Sequence, residues 1–252
     1  MANPKKAAVG FIFITILIDV MGIGIIIPVV PQLLQQLLHV TDRTNISAIS
    51  QPAIFLTLIY GLTQFVFAPI LGSLSDRYGR RPVLLFSLLG FGLDYIFLAF
   101  APTIGWLFIG RMIAGITGAS ITTATAYMAD ISNEKNRAQN FGMIGAAFGL
   151  GFIIGPMLGG LLGELGTRIP FLVAAGLALV NALYGYFVLP ESLDMEHRRS
   201  FDIKRANPIA SLLKLKKYPA VLGLICSLLL IYLAAHSVQS NWSFANINKF
   251  GW

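Results

Sequence analysis

Charge is what this chain has least of. Only 12% of its 252 residues are Asp, Glu, Lys or Arg, about half the share of an ordinary soluble domain. Hydrophobic residues make up 56%, and the mean hydropathy is +0.75. Length alone admits one or two soluble domains, but a water-soluble core cannot hide so many long apolar runs. Cys226 is the single cysteine, which excludes an internal disulfide framework and leaves apolar packing as its expected role. The three histidines, His39, His197 and His236, fall at different depths or compartments, so spacing brings them to no common metal site. No phosphate-binding Gly-rich loop occurs, because the glycines lie inside apolar runs. These absences leave no enzyme constellation. The net charge of +7 would suit nucleic acid, but position argues otherwise. The basic residues gather in particular loops between apolar runs, as topology determinants do, and the charged stretch 191–217 is too short and too mixed in sign.

What is present is a series of apolar spans. Seven are expected, at about 8–30, 52–75, 82–101, 104–128, 139–163, 169–189 and 219–238. A helix needs ~20 residues at ~1.5 Å rise to cross ~30 Å of hydrocarbon. Helices are expected because lipid offers no partner to an unpaired backbone group, and no period-2 alternation supports a barrel. One side carries Lys5, Lys6, Arg77, Arg80, Arg81, Lys135, Arg137, Arg198, Arg199, Lys204, Arg205, Lys214, Lys216 and Lys217. The other carries Arg43, Arg168 and Lys249. That bias of fourteen against three places the N-terminus in the cytoplasm, and seven crossings put Trp252 outside. The first span is too long for a signal-peptide core and reads as a retained helix. Residues 1–190 then form a six-helix bundle, 191–217 a cytoplasmic linker, and 218–252 a seventh helix with an external tail. Within the linker, Pro208–Lys217 has the pattern of a short amphipathic surface helix.

Between the second and third spans stands Gly72-Ser73-Leu74-Ser75-Asp76-Arg77-Tyr78-Gly79-Arg80-Arg81-Pro82. It compresses three arginines and an aspartate into a Gly-flanked turn. Only Asp19, Asp94 and Arg111 are charged well inside spans. Each costs ~2.5–3.5 kcal/mol or more at a helix centre, so each is expected to face protein or water rather than lipid. Asp19 is about eleven residues into its helix, ~17 Å deep. Asp94 and Arg111 lie at similar depth on either side of the turn 101–105. Two readings of that pair stay open. One is an ion pair that holds two helices together; the other is a carboxylate that cycles between charged and protonated forms. Gln64, Asn181 and His236 add uncharged polar groups, more often interhelical anchors than ligands.

Small residues crowd the fifth span: Gly142, Gly145, Gly149, Gly151, Gly155, Pro156, Gly159, Gly160 and Gly163. Their spacing (Gly145/Gly149, Gly151/Gly155, Gly155/Gly159) lets helix backbones approach closely in lipid, and Pro156 is expected to bend the helix. Gate, hinge and static close packing all fit this pattern. Gly110, Ala114, Gly115, Gly118, Ala119 and Ser120 form another small-residue face in the fourth span. The run Thr117, Ser120, Thr122, Thr123, Thr125 suits a wet path, though such hydroxyls also bond back to their own helix.

At these residues the chain resembles a family. Gly72–Arg81 resembles the loop signature between the second and third helices of major facilitator superfamily transporters. Leu107–Arg111 with Gly115 resembles the fourth-helix signature. Gly151-Phe152-Ile153-Ile154-Gly155-Pro156-Met157-Leu158-Gly159-Gly160 resembles the antiporter signature, Asp19 with Pro28 the first-helix one, and Leu189-Pro190-Glu191-Ser192 the end of the sixth helix. Over Leu58–Ser192, with Asp94-Tyr95, the chain resembles the proton-coupled tetracycline efflux pumps. The resemblance implies an all-α membrane protein, a bundle built from three-helix inverted repeats, in a bacterial cytoplasmic membrane. It implies export of a small-molecule drug against inward proton flow, with no resident cofactor and with a divalent cation carried as part of the substrate. Asp19 and Asp94 would then be the coupling acids, with Arg111 beside them, and Gln64 would lie on the substrate path. Gly72, Asp76, Arg77, Gly79, Arg80 and Arg81 would form a gating loop, with Asp130 and Arg137 as ionic partners. Asp76 would face a helix N-terminus of the other half, and Arg80 would reach Asp130. Gly151, Gly155, Pro156, Gly159 and Gly160 would form the antiporter hinge. The family has twelve helices, so a C-terminal half or complementary chain is the expected partner besides the lipid bilayer, and no nucleic acid. A non-transporting truncated fragment, or a sugar or metabolite carrier of the same fold, are the alternatives. A seven-helix retinal protein or receptor is opposed by the charge bias and by the lack of a lysine inside the seventh span.

Overall fold

The computed structural model describes residues 4–40, 46–201, 206–208 and 219–250. The expected amphipathic helix after Pro208 and the side chain of His236 lie outside that description. Among the described residues there is no strand. The helices are α1 (Pro4–Ile26), α2 (Val30–Leu37), α3 (Ile46–Tyr78), α4 (Arg80–Phe100), α5 (Ile104–Thr117), α6 (Ser120–Ile131), α7 (Arg137–Leu165), α8 (Ile169–Val188) and α9 (Pro219–Phe250).

Local chemistry sets several boundaries. α1 stops at Ile26 rather than running to residue 30, because Pro28 cannot donate to the ladder and restricts the residue before it. The chain turns helical again in α2, with Pro31 in its first turn. The span expected at 104–128 is two helices, broken at Gly118–Ala119. The run 72–82 is not an open turn. It is helical up to Tyr78 and again from Arg80, and Gly79 alone reverses the chain, at φ 108°, where a side chain would be strained. Before α7, the Asn133 side chain accepts the amides of Lys135 and Asn136, and the Asn136 side chain accepts that of Asn133. The turn that leads into the helix is thereby held by side-chain oxygens.

Six segments are long and apolar enough to cross a membrane: Ala7–Ile26, Ala48–Tyr78, Arg80–Phe100, Ile104–Ile131, Arg137–Leu165 and Ile169–Val188. The seventh expected span, 219–238, falls in α9. Among the described residues its apolar run is Val221–Ala235.

α1, α4, α6 and α8 pack around one another, while α3 lies on α5 and α7 on α1. Buried residues gather in two large clusters, with a small third of Leu71, Val83 and Ala119. One includes Phe11, Ile12, Ile16, Leu84, Leu88 and Tyr127, at the arginine-rich end. The other includes Ile25, Leu33, Phe91, Leu98 and Phe171, at the far end. Asp19 stands on α1 between Ile16 and Val20 of the first, and Asp94 on α4 between Phe91 and Tyr95 of the second. α3 and α7 are the least covered spans, with 11% and 17% of their apolar windows buried against 61% in α4. Ile54, Phe55, Leu58, Leu62 and Phe65 are therefore exposed on α3, and Ile153, Met157 and Leu161 on α7.

Candidate functional site

Asp94 is fully buried on α4, and its Oδ2 is in short contact with Nη2 of Arg111 on α5. Gly110, one residue before Arg111, makes room for this carboxylate. A Cβ there would lie 2.8 Å from Asp94 Oδ1. The pair is incomplete. Asp94 Oδ1 and Arg111 Nε are both buried with no protein partner, whereas a two-point arginine–carboxylate fork would use both. On its other side the Arg111 guanidinium lies 5.8 Å from the Tyr60 ring centroid. Asp19 is also buried. Its carboxyl faces the Ser120 hydroxyl, and its Oδ2 has no protein partner. Tyr95, beside Asp94, needs a glycine on α1: a Cβ at Gly22 would stand 2.3 Å from the Tyr95 hydroxyl. The fold thus brings two buried acids, one arginine and two tyrosines together.

Gln64 on α3 donates from Nε2 to the Gly118 carbonyl at 3.0 Å. It satisfies a backbone acceptor left where α5 ends, a group that lipid would leave bare. The hydroxyl run is mostly bonded to its own helix: Thr117 to Ile113 O, Thr122 to Ala119 O and Thr125 to Ile121 O. Thr123 Oγ1 is buried without a protein partner. Asn181 donates to Thr15 at 3.1 Å and ties α8 to α1.

A second cluster closes the arginine-rich end. Arg80 reaches Asp76 Oδ1 at 2.7 Å through Nη1 and Asp130 Oδ2 at 3.2 Å through Nε, and it donates to Ser75 Oγ at 2.6 Å. Glu191, just past α8, lies over the N-terminus of α4. It accepts the backbone amides of Arg80 at 2.8 Å and Arg81 at 3.2 Å, and those of Ser192 and Leu193 at 3.0 and 3.1 Å. A carboxylate at a helix N-terminus satisfies otherwise orphaned donors and complements the helix dipole. Gly79 is required here for space as well: a Cβ would lie 2.2 Å from Glu191 Oε2. Arg81 donates to the Tyr186 carbonyl and stacks over the Tyr186 ring, and Ser192 bonds Asp130 at 3.1 Å. The cluster therefore joins the α3–α4 junction to the ends of α6 and α8.

On α7, Gly151, Gly155 and Gly159 form one seam against α1. Added Cβ atoms would meet Val20 Cβ at 2.8 Å, Met21 O at 2.7 Å and Ile25 O at 2.4 Å. Pro156 seats its Cδ where a Gly24 side chain would be, and α7 is helical on both sides of it. Gly145, Gly149 and Gly160 face open space, so the Gly145/Gly149 spacing is not a helix contact.

Sequence reasoning placed Asp94 and Arg111 at one depth, and Arg80 within reach of Asp130; the structure brings both pairs together. Two residues of the expected gating loop stand apart from the network. Arg137, the first residue of α7, stacks over Phe141 one turn on, at 5.7 Å, and makes no ion pair with the loop among the described residues. Arg77 is exposed and stacks on Tyr78 at 5.1 Å. Gly72 lies in α3 with open space around it. Tyr60 and the capping role of Glu191 were not singled out. The signal for Glu191 was its place directly after Pro190 at the end of an apolar span.

A bundle of apolar helices with ionisable side chains buried inside it and a charged cluster at one end is the frame of a membrane carrier. The family model of the Major Facilitator Superfamily matches residues 12–252, and the chain belongs to that family. It is a multi-pass membrane protein. It is 40% identical over 238 residues to the class C tetracycline resistance protein of Escherichia coli, covering 94% of this chain and 58% of that one. Identity to the class H tetracycline resistance protein of Pasteurella multocida is 48% over 171 residues, covering 68% and 41%. To multidrug resistance protein 2 of Bacillus subtilis it is 30% over 252 residues, covering 99% and 60%. Among solved structures, the human organic anion transporter MFSD10 (TETRAN) superposes with a TM-score of 0.68 at 27% identity, over 80% of this chain and 51% of that one. The chain spans about 40–60% of the length of these curated relatives.

Proposed function

We propose that this chain supplies the proton-coupling half of a drug efflux transporter in a bacterial cytoplasmic membrane, with its N-terminus in the cytoplasm. The observation that carries the reading is the half-made pair. Asp94 is buried and meets Arg111 through one oxygen, while the other oxygen and Arg111 Nε lack partners. A pair that served only to hold helices would gain from using both contacts. A pair that must open to take a proton keeps an acceptor oxygen free.

In this reading Asp94 and Asp19 exchange protons and the cationic part of the cargo, and Arg111 compensates Asp94 while that acid is ionised. The cargo is a tetracycline-like drug, with a divalent cation travelling with it as substrate. Arg80, held between Asp76 and Asp130, latches the cytoplasmic end in one access state, and a latch of this kind biases a two-state equilibrium. The bare faces of α3 and α7 take the second half of the carrier, whose interface with this half encloses the substrate path.

The test is co-expression with the C-terminal half of a tetracycline resistance relative, in everted membrane vesicles. Acid-driven tetracycline uptake with both halves, and its loss in Asp94→Asn, is the expected result. Uptake that stays absent with both halves inserted, or that survives Asp94→Asn unchanged, overturns the reading.

A further inference from the structure

We propose that the Tyr60 ring is the second seat of the Arg111 guanidinium, the one it takes when Asp94 carries no charge. Arg111 stands between two partners of different kinds. On α4 is a carboxylate, met through Nη2 alone. On α3 is an aromatic face 5.8 Å from the guanidinium carbon, at the outer edge of the ~6 Å within which a ring attracts a cation. The ring is therefore within reach while the carboxylate holds the charge.

The need for a second seat follows from chemistry. Arginine does not give up its proton. Once Asp94 is neutral, the guanidinium becomes a buried charge without a counter-ion, a costly state. The charged or titratable groups that face Tyr60 are Arg111, Asp94 and Asp19, and Tyr95 lies against the same acids. Asp19 faces Ser120, so it has a partner of its own. A neutral ring can accept the cation without competing with the carboxylate while that is ionised.

The ring is held in place by backbone. Gly115 lies one turn after Arg111 on α5, and a Cβ there would sit 2.7 Å from the Tyr60 carbonyl oxygen. α3 and α5 thus touch main chain to main chain at this level. Thr63 donates to the Ile59 and Tyr60 carbonyls, and Gln64 donates to Gly118 O. The Tyr60 main chain is fixed where the two helices meet, and its side chain faces Gln64 one turn on, whereas Arg111 has a long flexible stem. The moving part is the arginine.

This inference rests on the reading that Asp94 passes through a neutral form. Its test replaces that passage with a fixed neutral side chain, so failure of coupling and failure of the second seat remain distinct. The purified full chain in detergent is compared as native, Tyr60→Leu, Asp94→Asn and the double variant, by thermal midpoint and folded fraction. Tyr60→Leu should lower the folded-to-unfolded ratio about tenfold more in the Asp94→Asn background than in the native one. Tyr60→Phe, which keeps the ring, should show no such excess. Adding Arg111→Gln to the double variant should remove the excess, and should restore accumulation if the double variant fails to fold. Equal losses in both backgrounds, Phe behaving as Leu, or no rescue by Arg111→Gln overturns the proposal.

Discussion

Replacing Gly155 by alanine adds one methyl group where α1 and α7 meet backbone to backbone. Its Cβ would lie 2.7 Å from Met21 O and 2.8 Å from Gly24 Cα. Both are backbone atoms, so no side-chain rotation relieves the contact. Ordinary contact begins near 3.4 Å, so the helices must part by roughly 0.6–0.7 Å, and Gly151 and Gly159 share the same seam. Overpacking of this kind costs about 1–3 kcal/mol. Alanine returns about 0.5–1 kcal/mol in helix propensity, which leaves a net loss of up to about 2.5 kcal/mol. Gly160 is the internal control, since a Cβ there meets nothing within 4 Å. Gly160→Ala therefore keeps the propensity gain without the clash. Thermal unfolding of the purified chain in one detergent, followed by circular dichroism, should place Gly155→Ala below native and Gly160→Ala at or above it. Equal midpoints for the two variants would refute the claim that backbone contact defines this seam.

Two further outcomes concern polar groups. Glu191→Ala removes an acceptor from four amides, two of them at the start of α4. A lost cap costs about 1–2 kcal/mol, and amide hydrogen exchange at residues 80 and 81 should speed up while exchange in mid-α4 does not. Glu191→Gln should retain the protection of residue 80, because one oxygen accepts that amide and those of Ser192 and Leu193; exchange of residue 80 in Gln as fast as in Ala would contradict this. Gln64→Leu strips the Gly118 carbonyl of its partner at about 1–3 kcal/mol, and the thermal midpoint should fall. Asn in place of Gln64 is one methylene too short and should fail to rescue it.

Much of this arrangement was legible in residue order. Hydropathy located six spans, and counting the helical rise from the 101–105 turn set Asp94 opposite Arg111. Asp130 was within reach of Arg80 because both stand at span ends on the same side. The rest was hidden for physical reasons. The break at Gly118–Ala119 lies in a run of small residues, and such a run also reads as a smooth packing face. Tyr60 sits in an apolar stretch where an aromatic ring reads as lipid-facing, and only the α3–α5 approach at Gly115 turns it toward Arg111. The capping of α4 by Glu191 spans 110 or more positions in sequence, beyond any local pattern. Gly145/Gly149 and Gly151/Gly155 have the same spacing; which pair meets α1 depends on the rotation of α7 about its axis.

The interruption between α5 and α6 has an electrical consequence. α6 begins at Ser120, the residue that Asp19 faces, so the positive end of a twelve-residue helix opens inside the bilayer toward that acid, an effective half-charge built from peptide groups. Asp19 is thereby compensated by something that cannot swing away, whereas Asp94 is compensated by a side chain that can. Of the two acids, only one has a counter-charge that is free to leave.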